Sequence, residues 1–112
     1  MTPLTKVYLL DEQGQRFFGD GPCRLLHLVE ETGSLRKAAE EMGMAYTKAR
    51  TLIKQAEAAV GEPLTRRIIG GKEGGGSCVT ECGKELMARY EDYKAKCLAA
   101  NCRIYSEVFG GK

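Results

Sequence analysis

The residues of this sequence best suited to chemistry are hydrogen-bond donors and cations set at helical intervals: Tyr46, Thr47, Lys48, Arg50, Thr51 and Lys54. On a helix turning about 100° per residue they fall away from an apolar face made by Ala49, Leu52, Ile53, Ala56 and Val60. Hydroxyl, ammonium and guanidinium groups so placed reach phosphate oxygens and base edges in a major groove. Arg66, Arg67 and Lys72 come next in the chain and suit phosphate contacts, and Ser34 opens the helix before. Catalytic chemistry has little to work with. His27 is the only histidine, with no neighbouring nucleophile or carboxylate pair, and reads as a surface residue. The glycine-rich stretch after Ile69 lacks the G-x4-G-K-[ST] frame of a phosphate-binding loop. An enzyme is therefore not expected.

Charge distribution points the same way. The net charge is +2, but residues 34–72 carry +4 and the rest of the chain −2. A basic middle on a slightly acidic chain marks a local polyanion-binding face. The 112 residues suffice for one domain with a modest core. No apolar run approaches the ~20 residues of a membrane span, and no signal-peptide pattern opens the chain, so a cytoplasmic protein without membrane partners is expected. The cysteines at 23, 78, 82, 97 and 102 are odd in number and lack paired C-x2-C knuckles. They read as free thiols filling small apolar sites, with neither disulfides nor a metal expected. Cys78 and Cys82 lie beside the basic segment and are the only candidates for thiol sensing.

The elements that must position these residues are legible in outline. Residues 4–19 read as a β-hairpin. Lys6–Leu10 forms one arm and Arg16–Phe18 the other, with Gly14 supplying the positive φ of the turn. Residues 22–61 read as three helices: Pro22–Thr32 with Asp20 as N-cap, Leu35–Met42 capped by Ser34, and Ala45–Val60 ended by Gly61. Residues 64–79 read as a second hairpin, or wing, around the loop 70–76. Thr80 caps a last helix over 81–108. Its apolar residues Leu86, Tyr90, Tyr93, Cys97, Ala100 and Ile104 step by 4, 3, 4, 3 and 4, a heptad-like seam for a second copy. A helix of that length spans about 42 Å and overhangs so small a domain.

Leu35–Lys54 has the pattern of a helix-turn-helix. Ala39 allows the close crossing, Gly43 supplies the turn, and Met42 and Met44 flank it. The order Gly33-Ser34-Leu35-x-x-Ala38-Ala39, Gly43-Met44-x-Tyr46, Gly61-Glu62-Pro63-Leu64, Gly70-Gly71-Lys72-x-Gly74-Gly75-Gly76 and Thr80-x-x-Gly83 resembles the N-terminal domain of ModE-type molybdate-responsive transcriptional regulators, over roughly residues 7–90. The second and third helices alone also resemble the LysR family. The ModE resemblance implies a homodimer joined through hairpins and long C-terminal helices, with the third helix of each copy in a major groove. Two departures are local. Ala45 stands where that family often has serine, and Arg50 where an aromatic residue is common. The family's C-terminal molybdate-binding domains have no counterpart in these 112 residues, so no cofactor is expected and molybdate is not expected to bind this chain alone.

The expectation is thus an α+β winged helix-turn-helix, a single domain over 1–112, with an N-terminal hairpin and a long C-terminal dimerisation helix. It would bind double-stranded DNA as a homodimer and regulate transcription. Leu86, Tyr90, Tyr93, Cys97 and Ile104 would form the dimer interface. The alternative is a winged-helix adaptor that binds protein and not DNA.

Overall fold

The computed structural model describes residues 1–69 and 76–110. In chain order the elements are β1 (Leu9–Leu10), β2 (Arg16–Phe18), α1 (Asp20–Thr32), α2 (Leu35–Glu41), α3 (Tyr46–Val60), β3 (Thr65–Ile68), β4 (Gly76–Val79) and α4 (Glu81–Phe109). The fold is α+β, with two antiparallel hairpins, β1–β2 and β3–β4, around a helical centre.

Asp11 organises the first hairpin. Its Oδ1 accepts from the backbone N–H groups of Gln13 and Gln15, both at 2.9 Å, and Gly14 takes a φ of +80°. The strand expected from Lys6 is shorter than its composition implies. Residues before Leu9 find partners on α4 instead of on β2. The Tyr90 hydroxyl donates to the Val7 carbonyl at 2.9 Å, Asn101 donates to the Thr5 hydroxyl, and the Tyr105 hydroxyl donates to the Met1 carbonyl at 2.8 Å.

Helix α1 begins at Asp20, not Pro22, and its N-cap is Gly19, which makes no side-chain cap bond. Asp20 is drawn away from capping by two distant partners. The Tyr90 hydroxyl donates to its Oδ1 at 3.0 Å and the Lys94 ammonium does so at 2.6 Å. The expected caps Ser34 and Thr80 do form. Ser34 Oγ accepts from the Lys37 N–H and Thr80 Oγ1 from the Gly83 N–H, both at 3.1 Å.

The core lies where α1 packs on α2, α3, the wing and the first half of α4. Leu25, Leu26, Val29 and Ala38 come from α1 and α2, Ala49 from α3, and Leu64 from the approach to β3; all are fully buried. Phe18 closes one end, edge-on to Tyr90 at 5.3 Å between ring centres. The wing is tied to the α1–α2 turn. Gly33 ends α1 with φ +71°, and its carbonyl accepts the Ser77 N–H at 2.8 Å. Gly76 pairs with Ile68 and so starts β4 instead of belonging to the loop as expected, and a Cβ there would collide with that same carbonyl.

Helix α4 buries Gly83, Met87 and Tyr90 against the domain and then runs out beyond it. The molecule measures 64 × 29 × 23 Å, and its radius of gyration is 16.9 Å against about 13 Å for a compact chain of this length. Tyr90 corrects the expected seam. It is only 3 % exposed, with its ring against Phe18 and its hydroxyl on Val7 and Asp20, so it serves its own protomer's core. A stripe at heptad spacing continues from core to overhang, and its period cannot mark where one ends. The outer part stays open: Tyr93 is 52 % and Ile104 50 % exposed.

Candidate nucleic-acid interface

The turn between α2 and α3 is held by backbone. Gly43 has φ +68°, its N–H donates to Glu40 O, and the Met44 N–H donates to Ala39 O, both at 3.0 Å. Buried Ala39 permits that approach. Helix α3 is then seated by Ala49, Ile53 and Ala56, all buried. Thr47, Lys48, Arg50, Thr51 and Lys54 are consequently exposed, and Tyr46 is half-buried. Ala45, the N-cap of α3, has extended backbone and no side-chain cap bond, which leaves the first N–H groups of the helix open to solvent or an anion.

The wing approaches the same face. Thr65 and Arg67 alternate with Arg66 along β3, so Arg67 turns toward α3 while Arg66 turns to the opposite side. Arg67 pairs across the hairpin with Ser77. Together α2, α3 and the wing enclose an open concavity of about 450 Å³, and Arg36, Tyr46, Arg50, Lys54, Arg67 and Ser77 are among its lining residues. The acid on its wall, Glu57, has a structural partner, since its Oε2 accepts the Leu64 N–H at 2.8 Å where the wing begins.

Electrostatics separate this face from the rest of the molecule. Among the described residues every ion pair lies on α1 or α4, such as Lys94–Asp20 and Lys96–Asp92. None of them engages Arg36, Lys48, Arg50, Lys54, Arg66 or Arg67. A concave surface lined by four cations and one acid, with no ion pair to those cations among the described residues, carries positive potential and suits a polyanion.

Four of the expected residues, Tyr46, Arg50, Lys54 and Arg67, are brought together in the concavity. Thr47 and Lys48 stand exposed on α3 outside it, and so does Thr51, whose hydroxyl donates to the Thr47 carbonyl at 3.0 Å. Ser34 is occupied as a cap, and Lys72 lies outside the described residues. Arg36 was missed. Its guanidinium lies 4.3 Å from the Tyr46 ring centre, which fixes the ring at the mouth of the concavity. An arginine two residues after the Ser34 cap, on the outer side of α2, was the available signal. Burial, then the Glu62 and Glu85 carboxylates, push the Cys82 thiol up, away from the reactive thiolate.

The model of bacterial regulatory helix-turn-helix proteins of the lysR family matches residues 23–84, from α1 through the wing into α4. The chain belongs to that family. The "Molybdenum transport protein ModE" of Azotobacter vinelandii is 31 % identical over 105 residues, covering 91 % of this chain and 39 % of that protein. The "Transcriptional regulator ModE" of Yersinia pestis is 37 % identical over 79 residues, covering 69 % and 30 %. Among solved structures, ArgP from Mycobacterium tuberculosis matches with a TM-score of 0.50 and 26 % identity over 72 % of this chain and 30 % of that one. The chain thus spans about a third of the length of these relatives. The expected resemblance to ModE-type regulators holds for the helix-turn-helix part. The lysR-family match reaches beyond α2 and α3, where likeness to that family was expected to lie, and takes in α1 and the wing. Among the described residues no helix is long and apolar enough to cross a membrane.

Proposed function

We propose that this helix-turn-helix protein is a transcriptional regulator that binds duplex DNA as a homodimer and acts by binding, not catalysis. The observation that carries the reading is the concavity between α3 and the wing, where Arg36, Arg50, Lys54 and Arg67 meet without an ion-paired acid among the described residues. In this reading α3 enters the major groove. Arg50 and Lys54, with Thr47, Lys48 and Thr51 on the exposed flank, read base edges or flanking phosphates, and Tyr46 is held for contact by Arg36. Arg67, with Lys72, follows the phosphate backbone, whereas Arg66, on the other side of the hairpin, is not assigned to it. The open N–H groups at the start of α3 suit a phosphate as well.

Dimerisation is supported by the overhang of α4. Leu86 and Tyr93 line an open groove of about 770 Å³ with Leu9 and Val60, and Cys97 and Ile104 continue the same stripe outward. A second copy laid on this stripe would cover it, and such a dimer would offer one α3 helix to each of two half-sites. Such a protein works where the chromosome is, in the bacterial cytoplasm. Selection of bound duplexes from a random pool, followed by titration of the selected and a scrambled duplex, tests the proposal. A preference of about 10³ or more for the selected duplex is expected. Equal binding to both, or none, would favour the protein-binding adaptor.

A further inference from the structure

The geometry points to a site for a thiophilic divalent cation, Zn²⁺ in class, between α1 and α4, with Cys23, His27 and Glu91 as its protein ligands. Cys23 and His27 stand four residues apart on α1 and therefore share a face. Helix α4 lies across that face and brings Glu91 to it. One donor atom from each of the three residues lies within 4.8 Å of the other two. His27 Nε2 is already 3.0 Å from Glu91 Oε2. Around a tetrahedral zinc ion, bond lengths of about 2.0–2.3 Å set donor atoms about 3.3–3.6 Å apart. The His27–Glu91 pair therefore needs to open by about 0.3 Å and the longer separations to close by about 1 Å at most, and Glu91 lies at the exposed rim where its side chain can adjust.

Cys23 sits at the floor of a concavity that also includes Asp20, Glu31 and Lys94 in its wall. With Nε2 on the ion, His27 Nδ1 carries the proton and faces Glu30 Oε1, now 4.0 Å away, as a carboxylate behind a metal-bound imidazole. The nearby Lys94 ammonium is neutralised by Asp20 at 2.6 Å. A sulfur, nitrogen and oxygen donor set selects zinc over magnesium or calcium, and solvent would complete the fourth position. On binding, the Cys23 thiol releases its proton to the buffer as the sulfur–zinc bond forms. Cysteine spacing alone concealed this site, because its partners are a histidine one turn away and a glutamate 64 residues beyond that. The bound ion would pin α1, which packs on the two helices of the helix-turn-helix, to α4.

The test uses the full chain under reducing conditions with Co²⁺ as an optical substitute for Zn²⁺. One equivalent should produce thiolate-to-cobalt charge transfer that Zn²⁺ abolishes. His27→Gln and Glu91→Gln, at positions outside the core, should each weaken binding at least about tenfold while circular dichroism stays native. Cys23→Ser should remove the thiolate signature, whereas Cys82→Ser should keep it whole. Zn²⁺ should also raise the melting temperature of the wild type and not of Glu91→Gln. No thiolate band at one equivalent, a band that survives both His27→Gln and Glu91→Gln, or a band lost with Cys82→Ser would each overturn the proposal. No DNA enters these measurements, so their outcome is independent of the proposed regulatory function.

Discussion

Tyr90→Phe separates a core residue from an interface residue with the removal of one oxygen. In the structure that hydroxyl lies 2.9 Å from the Val7 carbonyl and 3.0 Å from Asp20 Oδ1. Burial first, and the Asp20 carboxylate next, hold the phenol well above its ordinary range, so it stays a donor throughout the accessible pH range. The variant keeps the ring and its edge-on contact with Phe18. A lost neutral hydrogen bond costs about 0.5–1.5 kcal/mol and one to a charged group about 1.5–3 kcal/mol. Asp20 is largely exposed and keeps Lys94, so water replaces much of what it loses. The expected cost is therefore about 1–2 kcal/mol. With an unfolding entropy of about 2.1 cal/mol/K per residue, the melting temperature falls by about 4–8 °C. Calorimetry at fixed protomer concentration measures this, and sedimentation equilibrium should return the wild-type affinity for the proposed dimer. A melting temperature within about 1 °C of wild type, together with a tenfold weaker dimer, would return Tyr90 to the interface and refute the reasoning.

Other outcomes follow from the same contacts. Arg50→Ala should cost about 1–3 kcal/mol on a selected duplex and little on a scrambled one, whereas Arg67→Ala should weaken both alike; paired anisotropy titrations distinguish them. Ala45→Ser gives α3 the cap it lacks, on backbone already extended, and should raise stability by about 1 kcal/mol in chemical denaturation. Hydrogen bonding from Lys94, and then from Tyr90, lowers the Asp20 carboxyl below its ordinary value, with desolvation opposing. Its contribution to stability is thus complete above the ordinary aspartate pKa and is lost as pH falls through the lowered one. Asp20→Asn should flatten the acid limb of the melting curve in that range.

What could be read from the chain alone was whatever depends on neighbours in sequence. Ser34 and Thr80 cap helices, and Gly14, Gly33, Gly43 and Gly61 take positive φ, because those geometries are settled within a few residues. Errors arose where a distant partner intervened. Asp20 suits an N-cap by type, yet Tyr90 and Lys94, far along the chain, claim its carboxylate. The residues before Leu9 are β-formers, yet their carbonyls are met by side chains of α4. At the concavity, helical spacing identified Tyr46, Arg50 and Lys54, but strand alternation had to be seen to separate Arg67 from Arg66, and tertiary packing to bring in Arg36.

The central claim is that α3 and the wing present the cations of their shared concavity to a DNA backbone. Salt titration of duplex binding by wild type and Arg67→Ala tests it most directly. Each neutralised phosphate contributes about −0.9 to the slope of log K against log salt. Two protomers should give a wild-type slope steeper than about −4, and loss of Arg67 from both should flatten it by about 2. A wild-type slope near zero, or one that Arg67→Ala leaves unchanged, would contradict the account.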